Sequence, residues 1–234
     1  MGPFRRFRLS RLIVLYVSLS VLIWLMLCVV PDAYFSYRWH VVGNYGEQIV
    51  LLRSLVARKG PDCVARLEEL ADRSSRFECV LIAESLLSLG KAIGRPAVLR
   101  LLTSDNPEAR YGAASALRIT GDPLDLERLQ LLADDPDPGV QLVVLDGLVS
   151  FGRLEYVPRI IDLTLSSDGN SAAAAQNTLG YFFHPQGPVV PWEKGSRVAH
   201  ELWSEWWAIH KMSPPQTRRR EPCPWPEEAG RVAK

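Results

Sequence analysis

One fixed step along the chain, the interval from Leu55 to Leu86, constrains the fold more than any other feature. Leu55, Leu86, Leu117, Leu148 and Leu179 stand one step apart, each preceded by a small residue: Ser54, Ser85, Ala116, Gly147 and Thr178. Gly90, Gly121 and Gly152 keep the step, and a second column runs through Leu70, Leu101, Leu132 and Leu163. Within each unit the apolar residues fall at helical spacing, as at Ile49, Leu52, Leu55 and Val56. A unit this short, holding two helices, cannot bury its apolar stripe alone, whereas stacked units bury a continuous core. The small column lets neighbouring helices approach while leucine fills the gap, so a bulky residue at Ala116 would overpack the contact.

The helix boundaries follow from capping chemistry. Asn44 to about Arg58 forms a first helix stopped by Gly60, and Pro61 opens its partner, with Val64, Leu67 and Leu70 apolar. The second pair starts near Arg76, closes at Gly90 and resumes over Pro96 to Leu102. In the third, Asp105 or Asn106 accepts from the orphan amides of the first turn and Pro107 takes the first helical position. Gly121 ends that helix, and Asp122-Pro123 restarts the chain through Leu132. Asp137-Pro138 repeats the device for Val140 to Phe151, then Gly152 and Tyr156 to Leu165. A fifth first helix, Asn170 to about Phe182, meets Phe183 where the step calls for glycine, a departure expected of a terminal repeat.

Charge is unevenly spread. The 234 residues carry a net +1, yet Arg5, Arg6, Arg8 and Arg11 precede any acidic residue, leaving 23 basic against 26 acidic residues beyond them. That balance does not suggest a nucleic-acid binder, which would show a clustered basic face. The run from Leu12 to Val30 carries no charge. As a helix of roughly 19 residues it would span about 28 Å, close to a bilayer's hydrocarbon core. The arginines before it predict an N-terminus in the cytoplasm and the rest of the chain across the membrane. A cleaved signal peptide is the alternative, against which stand the long apolar run and the poor cleavage site at Val29-Val30-Pro31-Asp32-Ala33. A lipoprotein through Cys28 is disfavoured by the bulky Leu27 before it. The four cysteines, Cys28, Cys63, Cys79 and Cys223, lack zinc-ligand spacing; a Cys63–Cys79 bridge and a pair of free buried thiols both stay open.

The third repeat reads Ala109-Arg110-x-x-Ala113-Ala114-x-Ala116-Leu117 and then Gly121. It resembles the short bacterial HEAT repeat, also called PBS-lyase HEAT-like. The fourth copy, Val140-Gln141-x-x-Val144-Leu145-x-Gly147-Leu148, matches more loosely, with Gln141 in place of the arginine; the second copy has Cys79 there. The resemblance covers roughly residues 44–183. It implies a right-handed α-solenoid of about four helix pairs, a loop-bracing role for Arg110, and a binding surface lined by the second helix of each pair. On that surface would lie Arg95, Arg100, Arg128, Arg159 and Asp162.

After a turn-rich stretch at Gly187 to Pro191 comes WEKGSRVAHELWSEWWAIHK, with Val198, Leu202, Trp206 and Ile209 on one helical face and Trp203 and Trp207 beside it. Three tryptophans in so short a stretch predict a helix that caps the last repeat, or, if the rings are open, a face for a partner or a glycan through Trp203, Trp206 and Trp207. Residues 213–234, with five prolines and Arg218 to Arg220, have the composition of a disordered tail.

No catalytic motif stands out. His200-Glu201 lacks the second histidine of a zinc protease, since Ser204 stands at that place, and Leu89 to Gly94 is not a phosphate loop. Asp134, Asp135 and Asp137 are interleaved with Pro136 and Pro138 and read as a loop and a helix cap. The expected organisation is an all-α chain: a cytoplasmic basic segment (1–11), a transmembrane signal anchor (12–30), a juxtamembrane linker (31–43), a HEAT-like repeat domain (44–183), a Trp-rich capping region (184–212) and the tail (213–234). The expected function is a membrane-anchored scaffold for protein–protein interaction, with no metal, cofactor, nucleic acid or catalysis of its own. The alternatives are a HEAT-like enzyme of the chromophore-lyase type and glycan binding through the tryptophans.

Overall fold

The helices begin where the repeat places them. In the computed structural model, which describes Phe35, Arg38, Trp39 and residues 44–190 and 195–214, the first helices are α1 (Tyr45–Lys59), α3 (Arg76–Leu87), α5 (Pro107–Leu117), α7 (Pro138–Ser150) and α9 (Gly169–Phe183). Each starts one step of the leucine column after the one before it. Between them lie α2 (Val64–Ala71), α4 (Gly94–Leu101), α6 (Pro123–Gln130) and α8 (Val157–Leu163), and α10 (Gly195–His210) follows. Every regular element among the described residues is helical, including short 3-10 turns at Gly60–Cys63 and Leu154–Tyr156. The segment 1–11, the anchor at 12–30, most of the linker at 31–43 and the tail beyond Pro214 lie outside the described residues. No described helix is long and apolar enough to cross a membrane.

The caps expected at Asn106, Asp122 and Asp137 form, and Asp168 adds one at the start of α9. Asn106, rather than Asp105, accepts from the Glu108 amide; Asp122, Asp137 and Asp168 accept from the amides of Leu124, Val140 and Ser171. Ser75 and Glu78 make a capping box at the start of α3. Gly90, Gly121 and Gly152 all take positive φ, the left-handed conformation that lets a first helix stop and the chain turn into the second.

The chain divides into two compact units at Arg58–Lys59. In the first, Arg38 pairs with Glu47 at 2.7 Å, Phe35 stacks on Trp39, and Leu55 of the leucine column is buried. In the second, the first helices pack in succession, α3 on α5, α5 on α7 and α7 on α9. Three of the second helices contact the first helices on either side: α4 touches α3 and α5, α6 touches α5 and α7, and α8 touches α7 and α9. The leucine column is the spine of this unit's buried surface, with Leu86, Leu117, Leu148 and Leu179 all at most 1% exposed. In the second helices the fully buried column is Leu67, Val98, Leu129 and Ile160; of the expected column, Leu101 is buried while Leu70, Leu132 and Leu163 are half-buried. These helices run only seven or eight residues, and their inward line is that column with Ala71, Leu102, Ala133 and Thr164 four residues on.

Close approach is concentrated where glycine permits it. A Cβ on Gly112 would stand 2.5 Å from the carbonyl carbon and oxygen of Cys79, which are backbone atoms and cannot rotate away. Gly112→Ala is therefore expected to destabilise the protein by about 1–3 kcal/mol through overpacking, despite alanine's better helix propensity. Urea unfolding checks it; a stabilised variant would mean that α3 and α5 lie farther apart.

Cys63 and Cys79 are free and buried, each donating its thiol to a carbonyl oxygen, of Gly60 and Ala71 respectively. Burial, with added repulsion from Glu108, Glu78 and Asp72, pushes the Cys79 thiol up to about 12, so it carries no thiolate near neutral pH.

Candidate interaction groove

A concavity runs along the first helices. Gly139, Leu142, Val143 and Asp146 of α7 recur at one-turn spacing and form its floor. One wall comes from α5 and its end, Tyr111 and Arg118; the other from Asn170, Ser171, Ala174 and Thr178 of α9; Arg76 enters from α3. This open concavity has a volume of about 320 Å3.

Arg76 is the cross-tie of this surface. Its Nε donates to Glu108 at 2.6 Å and its Nη2 reaches Asp137 at 3.3 Å, while its guanidinium lies 4.7 Å from the centre of the Tyr111 ring. Gly139 makes room for it, because a Cβ there would meet Nη1 at 2.2 Å. One side chain thus joins the starts of three successive first helices. At the other end Arg118 pairs with Asp146. Asp137 and Asp146 are nine residues apart in sequence, so the two charged ends are separated by about 14 Å along α7. Asp168, at the start of α9, is held below the usual carboxylate range by hydrogen bonds from the Ser171 hydroxyl and amide. The groove therefore has an apolar floor, an aromatic edge and charged, hydrogen-bonding ends.

The sequence-predicted site residues lie elsewhere. Arg95 pairs with the fully buried Asp125 at 2.6 Å, and Arg100 pairs with Glu68 at 2.7 Å. Arg159 donates to the Ala133 carbonyl and pairs with Asp134, and Asp162 lies 3.4 Å from His200. Arg128 is exposed. None of these five lines the groove. Most of them tie one repeat to the next: Arg95 and Arg100 reach partners 30 and 32 residues away. Lys91 likewise pairs with Asp122 at 2.6 Å; although burial opposes it, this pairing and the Leu124 amide hold the Asp122 carboxyl below its usual range.

Arg110 braces a loop, as the resemblance implies. Nε and Nη2 grip both oxygens of Asp135 at 2.8 and 2.9 Å, and Nη1 donates to the Ser104 and Asp105 carbonyls. Asp135 in turn accepts from the Asp137 amide, so the aspartates of this loop are caps and braces. Among the described residues no cluster of three metal-ligating side chains occurs.

Trp203 and Trp207 are buried with Trp206 against Phe183, at ring-centre distances of 6.1, 5.8 and 4.9 Å. The Trp206 indole donates to the Gln186 carbonyl at 2.9 Å. Glycan binding by these rings requires open faces, and here the faces meet other aromatic rings. The departure of Phe183 from the glycine column has its reason in the same place: it is the side chain on which α10 closes.

The chain matches no protein-family model, no curated protein and no solved structure. The groove itself is hidden in the sequence because its floor residues, Leu142 and Val143, look like core, and Arg76 like an ordinary helix-start charge. The step that carries Tyr111 onto Leu142 was available as a signal.

Proposed function

We propose that this protein is a membrane-anchored scaffold built as a right-handed α-solenoid of HEAT-like helix pairs, which binds another protein and has no catalysis of its own. The binding face is the groove along the first helices, not the second-helix surface that the resemblance implies. The observation that carries this is the lining itself: four successive first helices contribute to one concavity with an apolar floor and charged ends. Such a mixture suits a peptide segment, whose backbone meets Asn170, Ser171 and Thr178 while apolar side chains cover Leu142 and Val143. Arg95, Arg100 and Arg159 are engaged in ties between repeats, which supports assigning these three to stability. The anchor rests on the uncharged run Leu12 to Val30 and the arginines before it.

A photoreactive amino acid at Ala174, in the groove, should give an adduct to a distinct partner protein in living cells. The same group at Arg128, on an exposed second-helix face, should not. Adducts from position 128 alone, or from neither position, would remove the groove as the binding face.

A further inference from the structure

Charge in the groove is already paired. Of the charged side chains only Arg76, Arg118 and Asp146 line it, and Arg118 pairs with Asp146. Arg76 gives Nε and Nη2 to Glu108 and Asp137, which lie outside the lining. An acidic occupant would meet those two carboxylates beside Arg76. A basic one would find no carboxylate in the lining that lacks its own arginine. An uncharged occupant matches this balance, because neither side then buries a charge without a partner.

What the groove leaves open is hydrogen-bonding capacity. Nη1 of Arg76 lies over Gly139 in the floor and has no acceptor among the described residues. In the α9 wall the Asn170 carboxamide and the Thr178 hydroxyl have no partner among the described residues either. An asparagine side chain both donates and accepts, which matches the N–H and C=O of a main chain. Asn170 and Thr178 are eight residues apart, about 12 Å along α9. In an extended chain the main-chain groups of alternate residues point to the same side, and four residues span about 13 Å. A helical segment spends those groups internally and offers them to neither residue.

We propose that the groove takes an extended, uncharged segment of a partner protein and holds it by its main chain. Main-chain groups four residues apart meet Asn170 and Thr178, a carbonyl oxygen accepts from Nη1 of Arg76, and apolar side chains cover Leu142 and Val143. Recognition is then tolerant of side-chain identity and strict about charge and backbone form. This rests on the groove being the binding face, but fails separately: partner adducts from Ala174 without selection of such a segment would keep the scaffold and remove this occupant.

The test uses the full chain purified in a neutral detergent and a bead library of heptapeptides with both ends capped. Beads that retain the protein should carry sequences with no charge at the central positions. The tightest of these is then remade with a neutral dye. Replacing its central amides one at a time by esters should weaken binding about ten-fold at one or more positions, and Asn170→Ala combined with Thr178→Val should weaken it about ten-fold. Exchanging one apolar side chain of the peptide for another should leave binding nearly unchanged. Asn170 is exposed and Thr178 half-buried, so the double variant should keep the parent's helical circular dichroism, and the ester series does not depend on its folding. Retention of no sequence, of sequences with a central acidic or basic residue, or of peptides that bind as helices overturns the proposal. So does a folded double variant that binds as tightly as the parent, or indifference to every ester.

Discussion

Replacing Trp203 by alanine is expected to cost about 3–5 kcal/mol of stability, the range for deleting a buried large aromatic side chain. Trp203 is 2% exposed and sits between Phe183, Trp206 and the Gly187 backbone, where a Cβ would lie 2.5 Å from the indole edge. Such tight surroundings cannot collapse into the space left behind. Trp203→Phe should be much milder, because the indole Nε1 is buried and has no acceptor among the described residues. Removing a donor that makes no hydrogen bond offsets part of the lost volume. Chemical denaturation of both variants measures the difference. If Trp203→Ala lost less than about 1 kcal/mol, well under the buried-aromatic range, α10 would not be a closing element. The aromatic docking face would then return to consideration.

The second large effect is expected at Arg95. Its partner Asp125 is fully buried and also accepts from the Thr120 hydroxyl at 3.0 Å. Arg95→Met would leave the carboxylate buried without its cation, and breaking a buried pair from one side costs about 3–5 kcal/mol. The double variant Arg95→Met, Asp125→Leu should recover most of the loss, because neither member then needs solvation. Urea unfolding of the single and double variants separates this from a surface role. A single variant as stable as the parent would show that Asp125 is hydrated and Arg95 free to meet a partner. Arg95 therefore carries a direct conflict between its two assignments, as binding-surface residue from sequence and as structural tie from geometry.

Sequence legibility differed sharply between first and second helices. The first helices were readable because their key positions repeat an identity, leucine, and because proline, aspartate and glycine mark their ends chemically. In the second helices the fully buried column changes residue type, Leu67, Val98, Leu129 and Ile160, while three of the four repeated leucines, Leu70, Leu132 and Leu163, are only half-buried. Identity is the louder signal on the page, but burial depends only on apolar volume and direction. The role of Gly112 is not legible in the sequence for a related reason. A glycine inside a helix reads as a weak point, and its use, admitting the Cys79 backbone, depends on a residue in the preceding repeat.

The sequence by itself determined the helical class, the repeated step, the capped starts and the left-handed glycine stops. These are local properties: backbone hydrogen bonding, φ preference and apolar periodicity act within a few residues. Tertiary structure alone decided where the groove lies and which charges are bound. Arg76 meets Asp137 across 61 positions and Arg95 meets Asp125 across 30, distances over which no periodicity specifies a side-chain direction. An arginine on a helix surface looks the same in sequence whether it faces water or a buried carboxylate. Only the packing of one helix against the next settles which.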